Sequence, residues 1–303
     1  MARYPFPAFP RGWFHVGGAA ALPAAGVAPL RRFGRELVLW RDGRGAPHLF
    51  DAHCPHQGAH LGHGGVVLGE LLKCPFHGWR LGADGACRAV PGAKDIPAHE
   101  PIRAWPLLEQ DGALLAWHGP AARKPSAPPP PLPELRDGWR VLDERRWEIA
   151  SHVQEMIENL VDAAHFPGLH HTPGVPRTEF EARGEGAAVR SQFHFDTLAG
   201  PVATTLASEG RGPGYWELRF TAPVPMLVLT TATPIADELV EFRLLFAAPE
   251  GAAGAREFAD SVILEVEADR VVWEHKAYRA DPPLSEADGP IRAFRAWFAQ
   301  FHG

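Results

Sequence analysis

Cysteine is scarce in this sequence. Three in 303 residues, an odd number, cannot build a disulfide framework and point to a reducing compartment. Long apolar runs are missing too, the longest falling far short of the ~20 residues that a membrane helix needs. The opening stretch "MARYPFPAFPRGW" has neither the apolar core nor the cleavage site of a signal peptide. Positive charge is not in excess, with 30 Lys and Arg against 36 Asp and Glu and no basic tract, so nucleic acid is not an expected partner. No G-x-G-x-x-G follows a strand-like run, which leaves nicotinamide and flavin binding to some other protein. The expectation is a cytoplasmic protein without a membrane span. Its 46% apolar residues are ample for the cores of two domains.

What the chain does have is histidine and proline, both unevenly placed. "RKPSAPPPPLPEL", residues 123–135, cannot sit in a helix interior or a central strand and reads as an extended spacer. The division it predicts is a first domain over 1–122, a linker over 123–133 and a second domain over 134–303. Before the linker, "ELVLW", "HLFDA", "VVLGELLKC" and "ALLAWHG" are short apolar runs separated by turn signals, the pattern of a small all-β domain. After it, "WEIASHVQEMIENLVDAAHF" (147–166) spaces its apolar residues by three and four, predicting an amphipathic helix stopped at Pro167-Gly168. The strand-like runs "AVRSQFHFDTL", "YWELRFTA", "MLVLTTATPI" and "LVEFRLLFAA" follow, and helix is expected from about 257. The fold class is α+β, an antiparallel sheet with helices against it.

Two constellations carry chemistry. Cys54-Pro-His56 and Cys74-Pro-Phe-His77 form C-x-H and C-x2-H, with seventeen residues between His56 and Cys74. Two thiolates and two imidazoles suit a structural zinc or a Rieske 2Fe–2S cluster, where two histidines replace cysteines on one iron. The asymmetric C-x-H start favours the cluster, since each loop must offer one Cys and one His to different irons. Cys87 matches neither pattern and reads as an ordinary semi-buried thiol. The second constellation lies in "ENLVDAAHFPGLHH". Asn159, Asp162 and His165 fall three residues apart, within about 120° of one helix face, and His170 follows past the Pro-Gly stop. Two histidines with one carboxylate form the facial triad of non-haem Fe(II) oxygenases.

"CPHQGAHL" and "CPFHGWRL" resemble the two loops of a Rieske domain, and D-x2-H-x4-H resembles the mononuclear-iron motif of Rieske non-haem iron oxygenases. The resemblance runs from "RGWFHVG" to "DGPIRAFRAWFAQF". It is strongest to the 3-ketosteroid 9α-hydroxylase and cholesterol 7-desaturase group, through "LVLTTATPI", "WEHK" and "DGPIRAFRAWF". It implies a Rieske domain followed by a catalytic domain of helix-grip type. Cys54 and Cys74 would share one iron and His56 and His77 hold the other, leaving His53, His60 and His63 as loop neighbours. His165 and His170, rather than His171, would hold the mononuclear Fe(II). Asn159 would lie near that iron, and Asp162 would link His165 to a neighbouring subunit's cluster in a head-to-tail homotrimer. The third ligand is sought among Glu265, Glu267 and Asp269; the resemblance to D-x3-W-x2-K, matched by Asp269, Trp273 and Lys276, selects Asp269.

The function so implied is that of a terminal oxygenase. It would use O2 and electrons from an NAD(P)H-dependent reductase or ferredoxin to hydroxylate or desaturate an apolar, steroid-like polycycle. Rival readings are action on another small ring compound or a demethylation, a pure Rieske electron-transfer protein, and a zinc-stapled binding domain on a lipid pocket.

Overall fold

The computed structural model describes residues 3–120, 123–135, 138–197 and 200–303. The chain divides into two compact units, His15–His118 and a larger one that joins Gly119–Gly303 to the segment ending at Phe14. That N-terminal segment therefore folds with the second unit, whereas the sequence division placed it in the first.

The smaller unit is built of short antiparallel strands, as the brief apolar runs and frequent turn residues dictate. One four-stranded sheet orders Val27–Arg32, Arg35–Arg41, Pro47–Asp51 and Ala104–Trp105. A second orders Val66–Leu68, Leu71–Lys73, Arg80–Leu81 and Cys87–Ala89. Trp40, Phe50, Leu61, Leu72 and Leu81 are fully buried and form its core with Cys54, Cys74 and Cys87.

In the larger unit, seven antiparallel strands form one sheet. In chain order they are β1 (Trp139–Ile149), β2 (Arg177–Arg183), β3 (Gly186–Thr197), β4 (Gly200–Arg211), β5 (Tyr215–Phe220), β6 (Met226–Ala236) and β7 (Leu239–Pro249). Their order across the sheet is β1-β7-β6-β5-β4-β3-β2. Directly paired residues share a face, so the register Leu218↔Val228 and Thr230↔Leu244 puts these four side chains on one side. The helices are α1 (Val153–Glu158), α2 (His165–Leu169), α3 (Ala255–His275) and α4 (Ile291–Phe298). On α3 the buried residues Ala255, Ala259, Val266, Asp269 and Trp273 recur at helical spacing and join the core with the sheet. The α+β architecture is borne out.

Three local expectations need correction. The helix predicted over 147–166 is broken. Trp147 to Ile149 finish β1, paired with β7, because cross-strand bonding outweighs the helical period there. His152 then caps α1, accepting from Gln154 N–H, and turns separate α1 from α2. Pro167-Gly168 does not stop a helix but lies inside α2, where proline is tolerated because first-turn N–H groups have no intrahelical acceptor. The proline-rich segment contains no strand or α-helix, only a 3-10 turn at Pro133–Leu135, and it packs on the larger unit rather than spanning open space. Leu132 is buried, Trp13 Nε1 donates to Ser126 O at 3.0 Å, and Glu134 pairs with Arg219 at 2.6 Å.

Candidate metal centres

The two Cys-His loops are local copies of each other. Each cysteine N–H donates to the carbonyl five residues on, Cys54 to Ala59 (2.9 Å) and Cys74 to Trp79 (2.8 Å). Each cysteine carbonyl accepts from a glycine N–H four residues on, Gly58 (3.0 Å) and Gly78 (3.2 Å). Both glycines are left-handed, φ +72° and +73°, which a side chain would resist. The turns bring the donors together. Cys54 and Cys74 are buried with their thiols in contact, and the His56 and His77 rings lie 4.7 Å apart on the exposed side. Burial, first among several influences, pushes the Cys54 thiol up to about 11, and the His56 N–H opposes it. Two buried thiols beside two exposed imidazoles are a donor set that fits a 2Fe–2S cluster, in which the cysteines would hold one iron and the histidines the other. Trp79, which no motif spacing singles out, stacks on His56 at 4.8 Å. His53 reaches Glu36 (3.3 Å) and His60 Nδ1 accepts from Gly62 N–H (3.1 Å), so both have loop roles. Cys87 is buried, its thiol 3.4 Å from Ala89 O.

The second group assembles from three elements. His165 opens α2, His170 follows it, and Asp269 comes from α3. One ligand atom from each lies within 4.8 Å of the others, the one such His/Cys/Asp/Glu group among the described residues. His165 Nδ1 donates to the carbonyl of Asp162 at 2.5 Å, which makes Nε2 the acceptor nitrogen, the one that would bind a metal. His170 Nε2 stands 3.3 Å from Asp269 Oδ1. Burial works against a charged His170, but the Asp269 carboxylate raises its pKa overall; at His165 burial prevails and lowers it. Asn159 Nδ2 donates to Asp269 Oδ2 at 3.0 Å and meets His165 Nε2 at 3.2 Å. Asn159, Asp162 and His165 thus do not share one helix face, yet the broken backbone still clusters them. The Asp162 carboxylate is 3.9 Å from the His165 ring, remains partly exposed, and accepts the His165 backbone N–H at 3.3 Å.

Helical phase separates the three acidic candidates on α3. Asp269 is buried in the group, and Glu265, one turn earlier, lines the same cleft. Glu267 faces away, accepting from Trp147 Nε1 at 2.6 Å. Burial pushes Glu265 up to about 7. The cleft encloses about 810 Å³, part of it open to solvent, and is walled by Met156, Leu206, Leu218, Phe220, Val228 and Leu244 with the triad at its side. Two ion pairs that no spacing in the sequence signals brace α1. Lys276 meets the fully buried Glu155 at 2.8 Å, and Arg295 holds Glu158 through two contacts of 2.7 Å. They tie α1 to the residue after α3 and to α4.

Comparison with known proteins agrees with this geometry. Residues 12–103 match the Rieske [2Fe-2S] domain, and residues 116–302 match the 3-ketosteroid 9α-hydroxylase C-terminal domain. The chain belongs to the 3-ketosteroid 9α-hydroxylase family of Rieske oxygenases. A member from Rhodococcus rhodochrous, a 3-ketosteroid-9-alpha-monooxygenase oxygenase component, is 32% identical over 97% of this chain and 81% of its own. The cholesterol 7-desaturase of Bombyx mori is 30% identical over 98% of this chain and 70% of its own. Among solved structures, dicamba monooxygenase bound to dicamba has a TM-score of 0.73 at 16% identity, covering 96% of this chain and 97% of its own. A caffeine-bound Pseudomonas putida CBB5 NdmA variant has 0.77 at 18%, covering 95% and 89%. Those identities speak for the fold alone. Like its family, this oxygenase is an oxidoreductase with a Rieske cluster and a mononuclear iron, and as an oxygenase component it works with a separate electron-donating partner. No helix among the described residues is long and apolar enough to cross a membrane.

Proposed function

We propose that this chain hydroxylates or desaturates a neutral polycyclic substrate of steroid or sterol type, at Fe(II) held by His165, His170 and Asp269. The observation that carries the reading is the convergence of these three ligand atoms in the wall of an apolar cleft. The names of the relatives support the substrate class. Cys54 and Cys74 hold one cluster iron, His56 and His77 the other. When bound, the iron supplies dioxygen activation and the cluster supplies electrons received from an NAD(P)H-dependent reductase or ferredoxin.

The chain's own residues then have defined tasks. The Asp162 carbonyl fixes the His165 tautomer, so that Nε2 faces the metal. Asn159 holds Asp269 in place through its amide. The cleft walls remove apolar substrate surface from water, at roughly 25 cal/mol per Å2, and keep water from the reacting carbon. The partly exposed Asp162 carboxylate suits a bridge to a neighbouring subunit in a homotrimer, a heterologous ring of the kind closed assemblies use. The cytoplasm, where thiols stay reduced, suits the three free cysteines.

The test is reconstitution with a surrogate reductase and mass-spectrometric scoring of steroids, sterols, small aromatic acids and alkaloids. Oxygenated or desaturated steroid or sterol is expected. Turnover of small charged aromatics alone would preserve the iron chemistry and refute the substrate class.

A further inference from the structure

The cleft contains polar side chains that metal binding leaves unused. Glu265 is one, on the same helix as Asp269. Thr172 is another, but its hydroxyl already donates to Gly174 O at 3.2 Å. Thr230 differs from both, and it stands on the sheet. Along β6, Val228, Thr230 and Ala232 point to the same face, and Thr230 pairs with Trp216 on one side and Leu244 on the other. Its side chain is 2% exposed, lines the cleft, and its Oγ1 has no hydrogen-bond partner. A buried hydroxyl without a partner costs folding free energy that a valine of the same shape would not. No Lys or Arg is among the described residues of the lining, so no permanently charged cation there meets a substrate carboxylate.

We propose that Thr230 is the specificity-determining residue of the cleft, hydrogen-bonding one neutral oxygen, a ketone or a hydroxyl, on an otherwise hydrocarbon polycycle. This rests on the reading of the cleft as the substrate site. Apolar contacts alone let a rigid ring system slide, because they have no direction. One hydrogen bond from the sheet wall, with the iron ligands on the helical elements, fixes which carbon faces the metal. The Thr230 hydroxyl can donate to a ketone or accept from an alcohol, so its chemistry serves either.

The experiment uses the holoenzyme with three probes of one skeleton: 5α-androstane, 5α-androstan-3-one and 5α-androstan-3-ol. Dissociation constants, product distribution and melting temperature are measured for wild type, Thr230→Val, Thr230→Ser and Thr231→Val. Thr231 Oγ1 is equally buried and partnerless, but it lies one residue on and faces the opposite side of the sheet, so it is the control. Thr230→Val is expected to weaken binding of the oxygenated probe about tenfold, the scale of one neutral hydrogen bond, and to scatter the site of oxidation. The hydrocarbon should bind wild type and Thr230→Val alike. Thr230→Ser should keep tight binding, and substrate-free Thr230→Val should melt no lower than wild type, which a structural role for the hydroxyl would not allow. Whichever of ketone and alcohol shows the effect identifies the substrate's oxygen.

Unchanged binding and product in Thr230→Val, or an equal loss in Thr231→Val, would overturn the assignment while leaving the polycycle reading intact. Failure of all three probes to bind wild type would overturn both.

Discussion

The amide of Asn159 joins two of the three ligands, with Nδ2 3.0 Å from Asp269 Oδ2 and 3.2 Å from His165 Nε2. Asp269 lies 110 positions along the chain from Asn159. This contact therefore sets the geometry between segments that the backbone alone does not relate. A hydrogen bond to a ligand carboxylate from the residue behind it is typical of sites that tune metal affinity.

Asn159→Ala should accordingly weaken Fe(II) binding about tenfold or more, while the cluster spectrum stays unchanged. Titration of the iron-depleted protein with ferrous iron measures this. Equal affinity in the variant would show that Asp269 needs no such support.

Asp162→Asn should keep both metals. The His165 ring is anchored by the Asp162 backbone carbonyl, which the substitution retains. Turnover should stall, with cluster reduction normal and cluster reoxidation in rapid mixing slowed by orders of magnitude. Loss of iron in this variant would make Asp162 a ligand or its direct support.

One of the ion pairs bracing α1 bears on stability. Lys276 to Glu155 is a charge contact at 2.8 Å rather than an aligned hydrogen bond, and Glu155 is fully buried while Lys276 stays about a third exposed. Lys276→Met should cost about 3 kcal/mol, the low end for breaking a buried pair. Adding Glu155→Gln should recover most of it, as chemical denaturation of the double variant would show.

His152 gives the larger unit an acid limit. It is 2% exposed, its Nδ1 accepts from Gln154 N–H and its Nε2–H donates to Pro7 O, and burial pushes its pKa down to about 4. Protonating Nδ1 would remove the cap of α1. The unfolded chain binds this proton near pH 6.5, so stability is full above that value and declines as pH falls towards 4, on the order of 3 kcal/mol from this group. His152→Asn, which keeps a capping oxygen, should flatten the melting-temperature profile between pH 6.5 and 4.

Much of this site could be read along the chain, for reasons that differ by residue. The cluster loops are local, so Cys54, His56, Cys74 and His77 announce themselves by spacing. His165 and His170 do the same. Asp269 is legible only through resemblance, because nothing in spacing relates it to ligands about a hundred residues earlier. The structure adds the reason, since helical phase buries Asp269 and turns Glu267 towards Trp147. Periodicity misled over 147–166, where α1 and α2 are too short to impose a helical repeat and β1 claims the start. The strands "RTEFEAR" and "GPVATTLASEGR" are not legible in the sequence because charged and small residues dilute their alternation. Thr230 and Glu155 become visible only once the sheet and helices enclose them.

The most direct test of the triad is metal content of wild type and Asp269→Ala, measured beside the visible spectrum and turnover. Wild type should be red-brown with about three irons per chain, two in the cluster and one mononuclear. Asp269→Ala should fall to about two, keep the cluster spectrum and lose all turnover. Full iron and full activity in Asp269→Ala would contradict the assignment and move the search to Glu265, and a colourless wild type holding only zinc would contradict the account at its base.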